Sequence, residues 1–186
     1  RSVRSSSLSR ETCPMLRSAG SRRARARNPP SIPPPMHPST FELEPPGETE
    51  MARRRDDVLA KGLPWLVATA GAGGAILGYA YANHFRPRPA YRYCLEDSIY
   101  LHPRAQHQGV GRLLLTELLA RCEAGGARQM LAVIGDADNA PSIGVHQALG
   151  FEPSGVLRAA GWKFGRWLDV VLMQRRLGAG ENTPPA

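Results

Sequence analysis

A strand that runs through a polar loop into a helix, at residues 98–112, most constrains how this chain can fold. Residues 99–101 are aliphatic or aromatic, and Gly109 and Gly111 stand where the helix would begin. Glycine lets the backbone approach a ligand closely, and the first N–H groups of a helix lack intrahelical partners. Because these donors and the helix dipole favour an anion, the stretch fits a pyrophosphate. A tight strand-to-helix turn without a ligand would give the same pattern.

The remaining sequence alternates strands and helices in a mixed α/β order without repeats. The spacing of apolar residues identifies these elements, and Gly or Pro residues that end a helix or strand set their boundaries. The predicted elements are a helix at 47–61, strands at 65–69, 75–82 and 91–101, a helix at 110–122, a strand at 130–134, a helix at 141–149 and a strand at 167–173.

An uncharged run at residues 63–82 is long enough to cross a membrane, and Gly74 and Gly78 have the spacing of a helix-packing motif. However, Pro64 opens the run, glycines cluster at 71–74, and large aliphatic residues are few. Two short strands joined by a glycine turn explain all three features. We therefore predict a β-hairpin and no membrane span.

The positive charge is confined to one end of the chain. Residues 1–40 contain eight arginines and one acid, so they contribute +7 of the formal net charge of +8. Phosphate neutralisation needs a basic face on the folded part, so we predict no nucleic-acid binding there. We expect residues 1–40 to be disordered. A transit peptide, a basic tail for RNA or an acidic surface, and an incidental or mistranslated segment remain alternatives.

The cysteines Cys13, Cys94 and Cys122 are odd in number, far apart and lack a Cys-x-x-Cys spacing. Neither a disulfide framework nor a metal site is indicated, and we expect free thiols. Free thiols are typical of a cytoplasmic protein.

The pattern Gln106-x-x-Gly109-x-Gly111, after a strand ending in Leu101, resembles motif A of the GNAT acyl-CoA N-acyltransferases. Further blocks resemble the phosphinothricin N-acetyltransferase branch, which includes methionine sulfone acetyltransferases. These blocks are residues 64–68, 80–82, 91–92, 96–100, 132–135, 146–151, 157–161 and 163–170. The resemblance extends over about residues 39–177.

The resemblance implies an α/β GNAT fold, with a mixed, mostly antiparallel sheet flanked by helices. The family's usual first strand and helix carry an Arg-x-Ala start and an Ile-Tyr-Asn segment. No Ile-Tyr-Asn segment occurs in this sequence, and we expect the usual first strand and helix to be missing. We expect a disordered segment at 1–38, a GNAT domain at 39–177 and a flexible tail at 178–186. Our hypothesis is that 1–38 is an out-of-frame or mis-spliced form of the start, which translation of the coding DNA in all frames would test.

The resemblance also implies a function: transfer of acetyl from acetyl-CoA to the amino group of a small amino acid such as phosphinothricin, methionine sulfone or methionine sulfoximine. A homodimer is expected by family analogy, without a metal, membrane or nucleic-acid partner. One alternative is a degenerate, non-catalytic CoA-binding or interaction protein. A weaker one is acetylation of a peptide N-terminus.

Two candidate catalytic residues follow from the resemblance. Glu96 falls at the family's general-base position, and a carboxylate can take the proton of an ammonium before the amine attacks a thioester. Its neighbour Asp97 would raise the pKa of Glu96 by like-charge repulsion, although adjacent strand residues face opposite ways. His146 stands where many GNAT enzymes have the tyrosine that protonates the departing thiolate. A packed or surface histidine is the alternative.

The binding residues follow from the same resemblance. The expected acetyl-CoA contacts are Ile99, Tyr100, Leu101, His107, Gln108, Gly109, Val110, Gly111, Arg112 and Asn139. Asn139 fits a helix cap equally well, and a backbone N–H of the strand, at Leu101, would polarise the thioester carbonyl. The expected acceptor contacts are Arg86, Pro87, Arg88, Glu96, Asp97 and Ser98. We assign Trp162, Trp167 and Asp169 to the core and a dimer face.

Overall fold

The computed structural model describes residues 16–18 and 40–185. Within these ranges, strands and helices alternate in the mixed α/β order expected from the sequence. The elements are β1 (Leu16–Ser18), α1 (Glu48–Ala60), β2 (Trp65–Thr69), β3 (Ile76–His84), β4 (Cys94–Leu101), α2 (Val110–Ala124), β5 (Gln129–Gly135), α3 (Ala140–Ala148), β6 (Glu152–Lys163) and β7 (Arg166–Arg176). Short 3₁₀ turns at Pro89–Tyr91 and Pro103–Ala105 flank β4.

The strands form one sheet in the order β1-β2-β3-β4-β5-β7-β6. All neighbours are antiparallel except β4 and β5, which run parallel. A parallel pair needs a crossover connection, and α2 supplies it. The predicted mixed, mostly antiparallel sheet flanked by helices is confirmed.

The two faces of the sheet have different residues because side chains alternate along a strand. One face forms the hydrophobic core with α2, through Leu66, Ala80, Ala82 and Leu95 among others. The opposite face is aromatic, and α1 lies on that side, where Lys61 Nζ donates to Asn83 Oδ1 at 2.9 Å.

The uncharged run forms the predicted hairpin, β2 and β3, with Trp65 opposite Tyr81. No helix among residues 40–185 is long and apolar enough to cross a membrane. The predicted strand at 91–101 begins three residues late, because Pro89–Tyr91 forms a 3₁₀ turn.

The strand β6 was absent from the sequence prediction. It contains Pro153, Gly155 and Gly161, and nearly all of its residues are exposed. A sheet-edge strand tolerates Pro and Gly because one side makes no ladder bonds. Without alternation of buried and exposed positions, the usual sequence pattern of a strand is missing.

Residues 16–18, which we expected to be disordered, pair antiparallel with β2, Leu16 opposite Ala68. A short strand therefore lies beside β2, where the sequence predicted the sheet to lack a first strand. The rest of the segment 1–38 lies outside the described residues. Near the other end, the predicted tail makes specific bonds, such as that from Gly180 N–H to the Leu177 carbonyl at 3.0 Å. The predicted domain boundaries stay a prediction.

Candidate active site

The centre of the sheet opens where β4 and β5 diverge. Their parallel ladder ends at the pair Asp97–Ala132. Beyond it, β4 continues to pair with β3 as far as Leu101, and β5 continues to pair with β7. Residues 98–101 of β4 therefore present a backbone edge without a strand beside it. We call this opening, between 98–101 of β4 and 133–135 of β5, the β4–β5 gap.

The helix α2 begins close to the same gap. Its N-cap, Gly109, has a φ of 77°, and no acidic side chain lies in the first turn. His107 also has a positive φ, 58°. The first backbone N–H groups of an α-helix lack intrahelical partners and attract anions. The loop and helix start can therefore accept a pyrophosphate.

Gly111 shows how tightly the start of α2 packs on β4. A Cβ on this residue would lie 3.2 Å from Leu101 Cδ1 and 3.7 Å from Ile99 Cδ1. These side chains lie on the helix side of β4, beneath the helix start. Packing of Gly111 against the strand sets the place of the anion-binding N–H groups relative to the free strand edge.

The opposite face of the sheet is a wall of aromatic rings. Trp65 stacks on Tyr81 at a centroid distance of 4.5 Å, and Tyr79 stacks on Tyr100 at 4.9 Å. Burial raises the pKa of the Tyr79 and Tyr100 hydroxyls, so both stay protonated donors. This wall can pack the apolar part of a small molecule and hydrogen-bond its polar groups.

The Glu96 side chain shares this aromatic face with Ser98 and Tyr100, by strand alternation. Burial, first, and the neighbouring Asp97 raise the pKa of Glu96, while the Arg86 guanidinium opposes them. The raised direction matches the sequence expectation, but its main cause is burial. A partly buried carboxylate with a raised pKa can accept a proton near neutral pH.

The structure separates the predicted acceptor residues. Arg86 follows the end of β3, and its positive charge lowers the pKa of Glu96. Its guanidinium lies 4.1 Å from the Phe85 ring centroid. Pro87 and Arg88 are exposed on the following loop. The Asp97 side chain, in contrast, turns to the helix side and is 6% exposed. The aromatic face thus includes the side chain of Glu96 but excludes that of Asp97.

Asp97 instead contacts the other candidate catalytic residue. His146 Nε2 lies 3.2 Å from Asp97 Oδ1, and His146 Nδ1 lies 2.7 Å from the Ser142 carbonyl oxygen. The imidazole is 1% exposed and meets the Phe151 ring edge-on at 4.9 Å. The structure therefore puts Glu96 and His146 on opposite sides of β4.

Asn139 acts as the N-cap of α3. Its Oδ1 accepts from the Ser142 N–H at 3.4 Å, and its Nδ2 donates to the Gly135 carbonyl at 3.5 Å. The preceding turn is held by Asp136, whose carboxylate accepts from Arg166 at 2.6 Å. The capping alternative is confirmed, and the contact of Asn139 with the cofactor stays a prediction.

A metal site is not formed by the part of the chain that the structure describes, because no three His, Cys, Asp or Glu side chains come together there. The groups available for chemistry at the candidate site are the Glu96 carboxylate, the free edge of β4 and the start of α2.

Comparison with known proteins agrees with this geometry. A sequence model described as "Acetyltransferase (GNAT) family" matches residues 32–151. A phosphinothricin N-acetyltransferase of Alcaligenes faecalis is 56% identical over 147 residues, which cover 79% of this chain and 74% of the relative. An L-methionine sulfoximine/L-methionine sulfone acetyltransferase of Pseudomonas paraeruginosa is 42% identical over 67% of this chain and 71% of its own length.

A solved structure gives the same result. The phosphinothricin acetyltransferase of Sinorhizobium meliloti, in complex with acetyl-CoA, superimposes with a TM-score of 0.76 at 52% identity and covers 80% of each chain. The chain therefore belongs to the GNAT family of acetyltransferases. It is an acetyl-CoA-dependent N-acetyltransferase, and the resemblance inferred from the sequence is confirmed.

Acetyl-CoA fits the residues present. The helix start with a left-handed Gly109 suits its pyrophosphate, and the unpaired edge of β4 suits the amide-rich pantetheine arm. The aromatic wall on β2 and β3 was missed as a site feature by sequence reasoning. The alternation of Trp65 and Val67, and of Tyr79 and Tyr81, could have indicated it.

Proposed function

We propose that this protein transfers the acetyl group of acetyl-CoA to the amino group of a small amino acid of the phosphinothricin or methionine sulfone type. The observation that most supports the proposal is the position of Glu96. Its partly buried carboxylate lies on the aromatic face, next to Asp97, which is the last β4 residue paired with β5 before the β4–β5 gap. A base there can serve an amine held against the aromatic wall and a thioester held along the strand edge.

In the proposed reaction, Glu96 accepts a proton from the acceptor's ammonium group, directly or through one water. The free amine attacks the thioester carbonyl, so that an N–C bond forms and the C–S bond breaks. A backbone N–H of the β4 edge, at Leu101, stabilises the developing oxyanion. The attacking nitrogen loses its second proton, the departing thiolate takes up one proton and leaves as the CoA thiol, and Glu96 releases its proton to solvent.

The donor would be held by two parts of one continuous segment. Backbone groups of Ile99, Tyr100 and Leu101 would bind the pantetheine arm, as a neighbouring strand would. The segment from His107 to Arg112 would bind the pyrophosphate with its N–H groups. Asn139 would contribute from the start of α3, where its side chain already orders the turn after β5.

The acceptor's carboxylate would bind near Arg86 and Arg88. Both guanidiniums are exposed on the loop after β3, and Arg86 is close enough to Glu96 to lower its pKa. An arginine recognises a carboxylate or phosphinate with two parallel hydrogen bonds. The backbone of Asp97 and the hydroxyl of Ser98 lie beside Glu96 and complete the predicted set.

The test is an acetyl-transfer assay with a panel of amines. We expect thiol release that depends on acetyl-CoA and on phosphinothricin, methionine sulfone or methionine sulfoximine, and little with a peptide amine. Glu96→Gln should abolish turnover while acetyl-CoA binding is retained. Tight CoA binding without turnover of any amine would contradict the proposal and favour a non-catalytic CoA-binding protein, which no comparison supports.

We further propose that the protein is a cytoplasmic homodimer. Support for the dimer comes from large exposed apolar side chains on the β6–β7 hairpin, namely Val156, Leu157, Trp162, Phe164 and Trp167. An apolar patch of this kind is a common protein interface. Support for the cytoplasm comes from the free thiols Cys94 and Cys122. In sedimentation experiments, the wild type should be a dimer, and Trp167→Ser should dissociate to monomers at higher protein concentration than the wild type does.

A further inference from the structure

The buried pair of Asp97 and His146 has no part in the reaction described above. Asp97 is 6% exposed and His146 is 1% exposed, and both side chains lie on the side of β4 that faces α2 and α3. Burying charged groups is costly unless they are paired. A pair this well buried beside a reaction centre therefore needs a specific explanation.

Hydrogen-bond geometry identifies the partners of both His146 ring nitrogens. A backbone carbonyl only accepts, so Nδ1, at 2.7 Å from the Ser142 oxygen, must donate. The other nitrogen, Nε2, lies 3.2 Å from Asp97 Oδ1, within hydrogen-bond distance. Burial by itself lowers the pKa of His146, but Asp97 and the Ser142 carbonyl outweigh it and the pKa is raised. Both ring nitrogens therefore face protein oxygens, and the contact with Asp97 joins the two buried side chains.

This arrangement leaves His146 without a free nitrogen. Both ring nitrogens are bonded to protein acceptors, and the ring is 1% exposed and packed on Phe151. A proton donor must reach its acceptor directly or through one water. His146 would have to break a bond to Asp97 or Ser142 before it could protonate a thiolate in the β4–β5 gap.

The position of the pair suggests a different task. Asp97 belongs to the last residue pair before β4 and β5 diverge. His146 lies on α3, whose N-cap Asn139 orders the turn that follows β5. The bond between Asp97 and His146 therefore joins β4 to α3 at the apex of the gap and fixes how far the two elements stand apart.

We propose that Asp97 and His146 are positioning residues that latch α3 to β4, so that His146 serves acetyl transfer by holding the β4–β5 gap open at a fixed width and not by protonating the leaving thiolate. The proposal rests on the acetyl transfer proposed above. It assigns Asp97 a role toward the donor and removes its side chain from the set of acceptor contacts.

The latch should be sensitive to loss of either partner. Asp97 Oδ2 has no hydrogen-bond partner within the described residues, so His146 supplies the bond that offsets burial of this carboxylate. The other titratable groups that act on the pair are Glu96, across the strand, and Cys122 on α2. Burial, first, and Asp97 raise the pKa of the Cys122 thiol to about 12, so it stays neutral beside the pair.

The experiment compares alanine and conservative variants in the full chain. His146→Gln can still donate an amide N–H to Asp97 but cannot transfer a proton, whereas His146→Ala and Asp97→Ala leave one partner alone. We measure kcat, KM for each substrate, the acetyl-CoA Kd and the Tm. Glu117→Gln, which removes an exposed ion pair with Arg121 on α2, is the matched control.

A latch predicts that His146→Gln keeps kcat within about threefold of wild type, while both alanine variants raise the acetyl-CoA Kd about tenfold or more, since an unpaired buried group is left behind. If His146→Gln loses about 10² to 10⁴ in kcat at unchanged Kd and Tm, the loss expected for a missing proton donor, the latch is overturned. Should the alanine variants not fold, His146→Gln and Asp97→Asn decide by the same criterion.

The pH dependence of stability gives a second readout. Because the pKa of His146 is raised on folding, its protonated form stabilises the protein below the unfolded pKa, and this contribution is lost as pH rises through the folded pKa. We expect the alkaline fall in Tm to be smaller in His146→Gln than in wild type. Equal falls would argue against the ion pair.

Failure of the latch and of the proposed function can be told apart. If wild type acetylates no amine, the proposed function fails, and the latch is then judged on the acetyl-CoA Kd and the Tm alone. Equal Kd values for wild type, Asp97→Ala and Glu117→Gln would overturn the latch in either case.

Discussion

The proposed donor site and the proposed acceptor face lie on opposite sides of one strand and are built in different ways. The donor site comes from one continuous segment, β4 through the start of α2. The acceptor face combines side chains from β2, β3 and β4 under α1. The first depends on local backbone geometry, and the second on long-range strand pairing. Substitutions should therefore affect one substrate or the other selectively.

The largest effect is expected at Glu96, which serves both sides. Glu96→Gln keeps the shape of the side chain but cannot accept the proton, so kcat should fall about 10²- to 10⁴-fold. The acetyl-CoA Kd, measured by calorimetry, should stay unchanged. Activity above a tenth of wild type would show that another group removes the proton.

The next effect should be confined to the donor. Gly109 has a φ of 77°, where a side chain costs roughly 1–2 kcal/mol. In Gly109→Ala, relief of this strain would turn N–H groups away from the pyrophosphate. We expect the acetyl-CoA KM to rise about tenfold, which corresponds to ~1.4 kcal/mol, while the amine KM changes little.

Gly126 offers the matched control for Gly109. It also has a positive φ, 89°, but follows the far end of α2. Gly126→Ala should lower the Tm as much as Gly109→Ala does and leave both KM values unchanged. A similar rise in acetyl-CoA KM in both variants would mean that general instability, and not the helix start, is responsible.

A smaller effect, on the pH dependence of the reaction, should distinguish binding of the acceptor from binding of the donor. The pKa of Glu96 is raised by burial and held back by Arg86, so kcat/KM should fall as pH is lowered through that pKa. Arg86→Gln should move this acidic limb to higher pH and raise the amine KM about fivefold, in line with ~1 kcal/mol for an exposed charge pair. Arg88→Gln should leave this acidic limb of the pH profile of kcat/KM at the same pH.

The smallest effect is expected from the aromatic wall. Tyr100→Phe keeps the ring stack but removes a hydroxyl that is hydrogen-bonded to Tyr81. A single neutral hydrogen bond contributes as little as about 0.5 kcal/mol, and we expect the amine KM to rise about threefold, which corresponds to ~0.6 kcal/mol, with the acetyl-CoA KM unchanged. A larger rise for acetyl-CoA would mean that the two sites are coupled through β4.

Sequence periodicity was a good guide wherever a strand or helix has one buried face. The hairpin of β2 and β3 and the helices α1, α2 and α3 lie within one or two residues of their predicted bounds. The exception, β6, is an exposed edge strand, so burial left no pattern in its residues. Pairing with β7, which no local rule reveals, makes it a strand.

The sequence by itself predicted the proposed donor site, because neighbouring residues form a strand, a loop with a left-handed glycine and a helix start. It also determined the family and the candidate base. Only the tertiary structure decided what lies on each side of β4. Alternation predicts that Glu96 and Asp97 face opposite ways, but the packing of α3 on the helix side of the sheet is what brings His146 to Asp97, 49 residues apart in the chain.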